Sequence, residues 1–239
     1  MVQGLLKMKQ KTIKTAFIKT LPVMAGYLVL GIGFGITLEN NGYGIWWALA
    51  MSGLIYAGSM QYVAIPLLTS GASLISTALT TLMVNGRHLF YGISMIDKYK
   101  GAGKKKPYMI FALTDETYSL VCQEDCQEGI DYHTLCLFIS IFNQIYWVAG
   151  SVIGSALGAV IPFDTTGVDF SMTALFVTVF VEQWLSTKNH IPALIGLAAS
   201  AGCLCLFGRD HFLIPSMIAI TVLMAVLQKI IVKEEEKND

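Results

Sequence analysis

The run NNGYGIWWALAMSGLIYAGSMQYVAIPLLTSGASLISTALTTLMVNG, residues 40–86, contains no Asp, Glu, Lys, Arg or His and is closed by Arg87 and His88. Forty-seven consecutive uncharged residues belong in lipid, not in a soluble domain. One continuous helix of that length would reach roughly 70 Å at about 1.5 Å per residue. The hydrocarbon core of a bilayer is only about 30 Å thick, so the run must fold back or break inside the membrane. A charged pair at the end of such a run is costly to place and asks for a partner.

The rest of the chain repeats the message. Hydrophobic residues make up 54% of the 239 positions, charged residues 13%, and the mean hydropathy is +0.61. These values exclude an ordinary soluble domain and predict an all-α bundle of about six or seven membrane segments, some broken or re-entrant. The net charge is zero, so nothing indicates a nucleic-acid partner. Five cysteines are an odd number, and Cys136, Cys203 and Cys205 lie in apolar segments as small hydrophobes. Cys122 and Cys126 with His133 make a weak C-x3-C pattern without a second pair, so no metal and no cofactor is expected. No H-E-x-x-H is present, and Gly101-Ala-Gly103-Lys104-Lys105 lacks the spacing and the hydroxyl of a phosphate loop, so the chain is not expected to be an enzyme.

Residues 1–15 form a basic lead into a first span of roughly Lys19 to Leu38, which reads as uncleaved because no small-residue cleavage site follows. Segment two runs from about Gly44 to Leu68 and segment three from about Ala72 to Tyr91. Segments four to seven cover about Tyr132–Ile161, Phe170–Leu185, Ile191–Phe207 and Phe212–Val232, so that one membrane domain occupies 16–232 and a short charged tail 233–239. Eleven of the sixteen Lys and Arg lie at or before Lys19 or between Arg87 and Lys106. By the positive-inside rule both regions face the cytoplasm, as does the C-terminus. Three full spans between them would put the second region outside, so segment three is expected to be a half-span or re-entrant helix.

Three polar interruptions are candidates for chemistry. Gly58-Ser59, followed by Gln61, marks either a broken helix exposing backbone groups to a substrate or a close helix crossing. Asn85, Arg87 and His88 mark either an Arg that snorkels to the headgroups or one held by a polar shell, placed to meet Asp115, Glu116 or a substrate carboxylate. Asp115 and Glu116 sit either in a solvated surface turn or at depth, where a carboxylate needs a partner, a proton or water. Glu182 is explained by an interfacial position. Gly150, Gly154 and Gly158 form a G-x-x-x-G-x-x-x-G packing face without chemistry.

Three strings occur in order: Tyr56-Ala-Gly-Ser-Met-Gln61, Asn85-Gly-Arg-His-Leu-Phe-Tyr-Gly-Ile-Ser94 and Leu113-Thr-Asp-Glu-Thr117. With Gly31-x-Gly-Phe-Gly35, and Trp147 ahead of the glycine ridge, they resemble the signature strings of the AzlC/YgaZ family across about residues 16 to 225. The resemblance implies the large subunit of a branched-chain amino acid exporter in the plasma membrane, acting on valine, leucine, isoleucine and analogues with a small AzlD/YgaH-type membrane subunit. It favours Gly58, Ser59, Gln61, Asn85, Arg87 and His88 as substrate-binding residues and Asp115 and Glu116 as carriers of a coupling proton, without fixing their roles. A passive amino-acid channel and a non-transporting scaffold subunit are the alternatives.

Overall fold

A computed structural model describes residues 2–122, 130–160, 189–212 and 218–227, with 170, 173–174, 177, 180–181, 184–185 and 215–216; for 2–9 and 209–211 it describes the backbone alone. Glu124, Asp125, Cys126, Glu128, Asp164, Asp169, Glu182, Lys188 and the tail 233–239 lie outside the described residues. All regular elements among those described are helical. The chain divides into two compact units, 1–172 and 173–239.

The first unit is organised on two long helices, α1 (Val2–Asn40) and α7 (Tyr132–Val160). Both contain stretches apolar and long enough to cross a membrane, Gln10–Asn40 and Tyr132–Val160. The basic lead is therefore a helical continuation of the first span. The two helices run parallel: Phe17 meets Phe142 at 5.7 Å between ring centroids, Tyr27 meets Trp147 at 5.5 Å, and Gly158 packs against Ile36 and Glu39. Their backbones touch where both carry glycine. A Cβ on Gly35 would overlap the Ser151 carbonyl oxygen, and one on Gly154 would overlap that of Ile32. Small residues on both faces let dispersion contacts form between main chains, which is how helices associate in lipid without a hydrophobic drive.

The uncharged run breaks as its length requires. A short helix α2 (Ile45–Ala50) widens into a π-turn over Met51–Ile55, Tyr56 turns left-handed at φ 46°, and α3 (Gly58–Thr69) follows. Gln61 Nε2 donates to Ser52 Oγ at 3.2 Å. In a straight helix nine residues would separate these groups by about 13 Å along the axis, so the chain has reversed and the two halves form a hairpin. The break falls at Tyr56–Ala57, two residues ahead of the Gly58-Ser59 expected from sequence, and those two open the returning helix instead.

After the Thr69-Ser-Gly71 turn, α4 (Leu74–Ser94) is an unbroken helix of 21 residues, roughly 31 Å long and sufficient to cross the core. Segment three, expected as a half-span or re-entrant helix, is thus continuous, and the break expected in the uncharged run lies in segment two. The element that breaks and doubles back is segment two. The physical reason is local. Segment two contains the Tyr56-Ala57-Gly58 break, whereas Ser73 caps α4 by accepting from Ser76 N at 3.2 Å and nothing interrupts the helix thereafter.

Helices α5 (Lys106–Phe111) and α6 (Asp115–Cys122) form a second hairpin from the opposite end. Lys105 contacts Thr134 and Asp131, and Tyr132 donates to Val121 O, so both ends of the hairpin lie at the start of α7. Thr117 instead bonds Asn143, eleven residues further along α7. The two tips meet, with Tyr56 6.3 Å from Phe111 between ring centroids. One apolar cluster (Tyr27, Phe34, Tyr56, Tyr62, Ala112, Trp147) surrounds this meeting point, and a second (Ala16, Met95, Tyr99, Met109, Leu135, Ile139) closes the basic end.

In the second unit, α8 (Ile191–His211) contains a stretch apolar and long enough to cross a membrane, Ile191–Gly208, ended where Gly208 turns to φ 72°, and α9 (Ile218–Leu227) is a shorter apolar helix. Trp184 stacks on His190 with centroids 4.1 Å apart, beside a cavity of about 420 Å³ that Ser200 and Ile220 also line.

Candidate functional site

The two hairpin tips place main-chain groups and charges at one locus midway along α1 and α7. Widening to a π-turn leaves the Gly53 carbonyl to an outside partner, and Gln144 Nε2 donates to it at 3.0 Å while Gln144 Oε1 accepts from Tyr108 OH at 2.6 Å. Trp147 fixes the returning half. Its Nε1 donates to Gln61 Oε1 at 2.8 Å, and its six-membered ring lies where a Cβ on Gly58 would come within 3.1 Å. Ala57, the residue before α3, offers no side-chain acceptor to the first turn, so the N-terminal amides of α3 remain uncapped.

Arg87 reaches this uncapped end. Its Nη2 donates to Ser59 Oγ at 2.8 Å and pairs with Asp115 Oδ2 at 2.9 Å, both side chains being about one-quarter exposed (28% and 20%). Tyr91, one turn further along α4, donates to Asp115 Oδ1 at 2.8 Å and stacks on Tyr118 at 4.4 Å. One guanidinium therefore joins α3, α4 and α6. The Asp115–Glu116 pair opens α6, where two carboxylates suit the positive end of the helix dipole. Thr114 Oγ1 caps that helix by accepting from Thr117 N at 3.3 Å.

Glu116 points elsewhere. Its Oε2 accepts from Tyr27 OH on α1 at 2.6 Å, and Tyr27 shares a second hydrogen bond of 2.7 Å with Thr114 Oγ1. Thr114 is 2.9 Å from Thr117 Oγ1, which accepts from Asn143 Nδ2 at 3.0 Å. Two adjacent carboxylates thus occupy different surroundings, one against a cation and one against a chain of hydroxyls.

Of the residues singled out from sequence, Gly58, Ser59, Gln61, Arg87, Asp115 and Glu116 converge here from three separate strings. Asn85 precedes Arg87 with its Oδ1 buried and without a hydrogen-bond partner, and His88 packs edge-on to Tyr91 at 5.8 Å. Gly150, Gly154 and Gly158 lie apart, against α1. The Cys122–Cys126 pattern yields no centre that can be described: Cys122 is a free thiol, His133 Nε2 bonds Lys98 O at 3.2 Å, and Cys126 is outside the described residues. Tyr27, Ser52, Tyr108, Thr117, Asn143 and Gln144 were not foreseen. Asn143 and Gln144 carried a signal, two amides side by side inside the apolar helix Tyr132–Val160, and a polar pair there must find partners. Tyr27 carried none, being a lone aromatic in an aliphatic stretch of α1.

Comparison with known proteins agrees with the geometry of a membrane-embedded helical site. The AzlC protein family matches over residues 22–161. The chain is 44% identical over 222 residues to the branched-chain amino acid transport protein AzlC of Bacillus subtilis, covering 93% of this chain and 87% of the relative. It is 41% identical to an uncharacterized membrane protein of Haemophilus influenzae, covering 89% and 88%, and 25% identical to the Escherichia coli inner membrane protein YgaZ, covering 89% and 87%. No solved structure matches it. The three strings, their convergence on a pair of hairpin tips inside a helical bundle, and these identities place the chain in the AzlC family of membrane proteins.

Proposed function

We propose that this chain is the large subunit of a secondary transporter that exports branched-chain amino acids across the plasma membrane, driven by the proton gradient and working with a small AzlD/YgaH-type membrane subunit. The observation that carries this reading is the meeting of Arg87 with Ser59 and Asp115 at the uncapped start of α3. A zwitterion needs a cation or free amides for its carboxylate and an anion for its ammonium, close together and away from bulk water. The first turn of α3 and Arg87 supply the former, and Asp115 supplies the latter. Apolar walls such as Tyr62, Ile65 and Phe34 select for apolar side chains, although each methylene discriminates by only about 1–3 kcal/mol, so overlap among valine, leucine and isoleucine follows. The name of the Bacillus subtilis relative supports the same substrate class.

In this reading the end carrying Lys98–Lys106 faces the cytoplasm together with the lead 1–15 and the tail 233–239, residues 16–232 forming the membrane domain. The hairpin Ile45–Thr69 enters from outside and the hairpin Lys106–Cys122 from inside. The test is counterflow of labelled valine in proteoliposomes, with and without the co-expressed small subunit. Exchange that requires both chains and responds to an imposed pH gradient is expected. Flux indifferent to the gradient would indicate a passive channel, and no flux of any branched-chain amino acid would leave a scaffold.

A further inference from the structure

The adjacent carboxylates Asp115 and Glu116 are candidates for the same task, yet their surroundings divide the work between them. Asp115 is compensated by Arg87 at 2.9 Å and held by Tyr91 at 2.8 Å. Removing its charge by protonation would break that ion pair. Glu116 has no Lys, Arg or His within ion-pair distance among the described residues. Its partner is Tyr27 OH at 2.6 Å, which is also 2.7 Å from Thr114, itself 2.9 Å from Thr117. Hydroxyls both donate and accept, so this chain can be satisfied in either of two directions. With Glu116 ionised, Tyr27 donates to the carboxylate and accepts from Thr114. With Glu116 protonated, its O–H donates to the Tyr27 oxygen, Tyr27 donates to Thr114, and Thr114 donates to Thr117. Tyr27 and Thr114 each keep a donor and an acceptor in both states, which is what a group that is loaded and unloaded in a low dielectric requires of its neighbours.

Resting on the proposed function, we infer that Glu116, gated by the Tyr27–Thr114–Thr117 hydroxyl chain, is the group that carries the coupling proton, and that Asp115 belongs to the Arg87 substrate clamp. The proton passes from hydronium on one side to the carboxylate oxygen, leaving water, and returns to water on the other; only O–H bonds form and break. Among the described residues, the charged and titratable groups around Glu116 are Tyr27 from α1, Tyr56 from the first hairpin tip, Arg87 and Tyr91 from α4, and Asp115 on its own helix. Tyr27 sits on the α1–α7 pair and Glu116 on a hairpin, so proton occupancy is read where those two parts join.

The experiment uses the full chain, co-expressed with its small subunit, in proteoliposomes with two readouts: counterflow of labelled valine without a pH gradient, and accumulation driven by an imposed one. Glu116→Gln mimics the protonated acid, because its amide N–H can donate to the Tyr27 oxygen. It is expected to retain counterflow within about threefold while losing gradient-driven accumulation by tenfold or more, and Glu116→Asp should restore accumulation in part. Asp115→Asn should lose counterflow itself. A Glu116→Gln protein that still concentrates valine, or one that is folded by thermal melting yet shows no counterflow, overturns the inference. So does a wild type whose accumulation ignores the pH gradient. If the wild-type complex shows no counterflow of valine, leucine or isoleucine, the proposed function fails and the inference with it; failure confined to the Glu116 variants leaves the transport reading standing.

Discussion

Trp147 on α7 bonds Gln61 on α3 at 2.8 Å while the same indole covers Gly58, so one side chain fixes the returning half of the first hairpin by a polar contact and by shape. Gln61 and Trp147 are almost wholly buried, at 0% and 3% exposure. The bond therefore cannot be replaced by water. Gln61 also ties the two halves of the hairpin together through Ser52, which makes the indole the outer anchor of a three-residue clasp.

Trp147→Phe keeps the ring but leaves Gln61 Oε1 buried without a donor. The expected cost is about 1–3 kcal/mol of stability, read as a lowered melting temperature in detergent. Gln61→Leu should cost a similar amount. The double variant should cost clearly less than the sum, because residues in direct contact do not add; additive losses would show that the bond contributes nothing.

Gly35→Ala and Gly154→Ala should each prevent the α1–α7 contact, since the new methyl would overlap a main-chain carbonyl that cannot move aside. Loss of monodisperse protein on size exclusion is expected for both. Gly26→Ala is the control. No atom lies within 4 Å of its added methyl, and helix propensity favours alanine by up to about 1 kcal/mol.

Arg87→Lys preserves the charge but not the fork that lets one guanidinium reach Ser59 and Asp115 together. Valine counterflow should fall at least tenfold with only a small change in melting temperature. Asp115→Asn, which leaves Arg87 without its carboxylate, should destabilise by less than the roughly 3–5 kcal/mol of a fully buried broken pair, because about a quarter of each side chain is exposed. Unchanged counterflow in Arg87→Lys would remove Arg87 from the site.

Asp131, outside the membrane, caps α7 by accepting from Thr134 N at 3.0 Å and from the Thr134 hydroxyl, and it pairs with Lys105 at 3.1 Å. The Thr134 hydroxyl bond, first, and Lys105 hold its carboxyl below the usual 3.8. A lowered folded-state value favours the ionised form, so this contribution is present above about pH 4 and is lost as pH falls through the folded-state value. Asp131→Ala should cost about 1 kcal/mol at neutral pH, the usual worth of an N-cap, and the loss should shrink in acid. A pH-independent loss would assign the effect to packing.

Much of the fold was legible because lipid leaves few options. An uncharged run of 47 residues is too long to cross once as a straight helix, so a break within it was expected. Length and charge marked about Tyr132–Ile161 and Ile191–Phe207 as spans, where the structure has apolar helices long enough to cross at Tyr132–Val160 and Ile191–Gly208, and the glycine spacing on α7 marked a packing face. Those properties are additive along the chain, so a sequence can carry them. Which segment breaks and reverses is another matter. It turns on the left-handed Tyr56 and the Ser52–Gln61 contact, and no residue type at those positions demands the reversal.

The same division holds at the site. Gly58-Ser59, Arg87 and Asp115-Glu116 stood out in the sequence because polar groups in apolar surroundings are expensive, and expense is a local property. That they meet, that Asp115 takes the guanidinium while its neighbour turns to Tyr27, and that Asn143 and Trp147 complete the network, was decided only by tertiary structure. Each of those bonds joins helices far apart in the chain. Hydrogen bonding is directional and short-ranged, so its partners are chosen by where the backbone puts them rather than by what the neighbouring residues are.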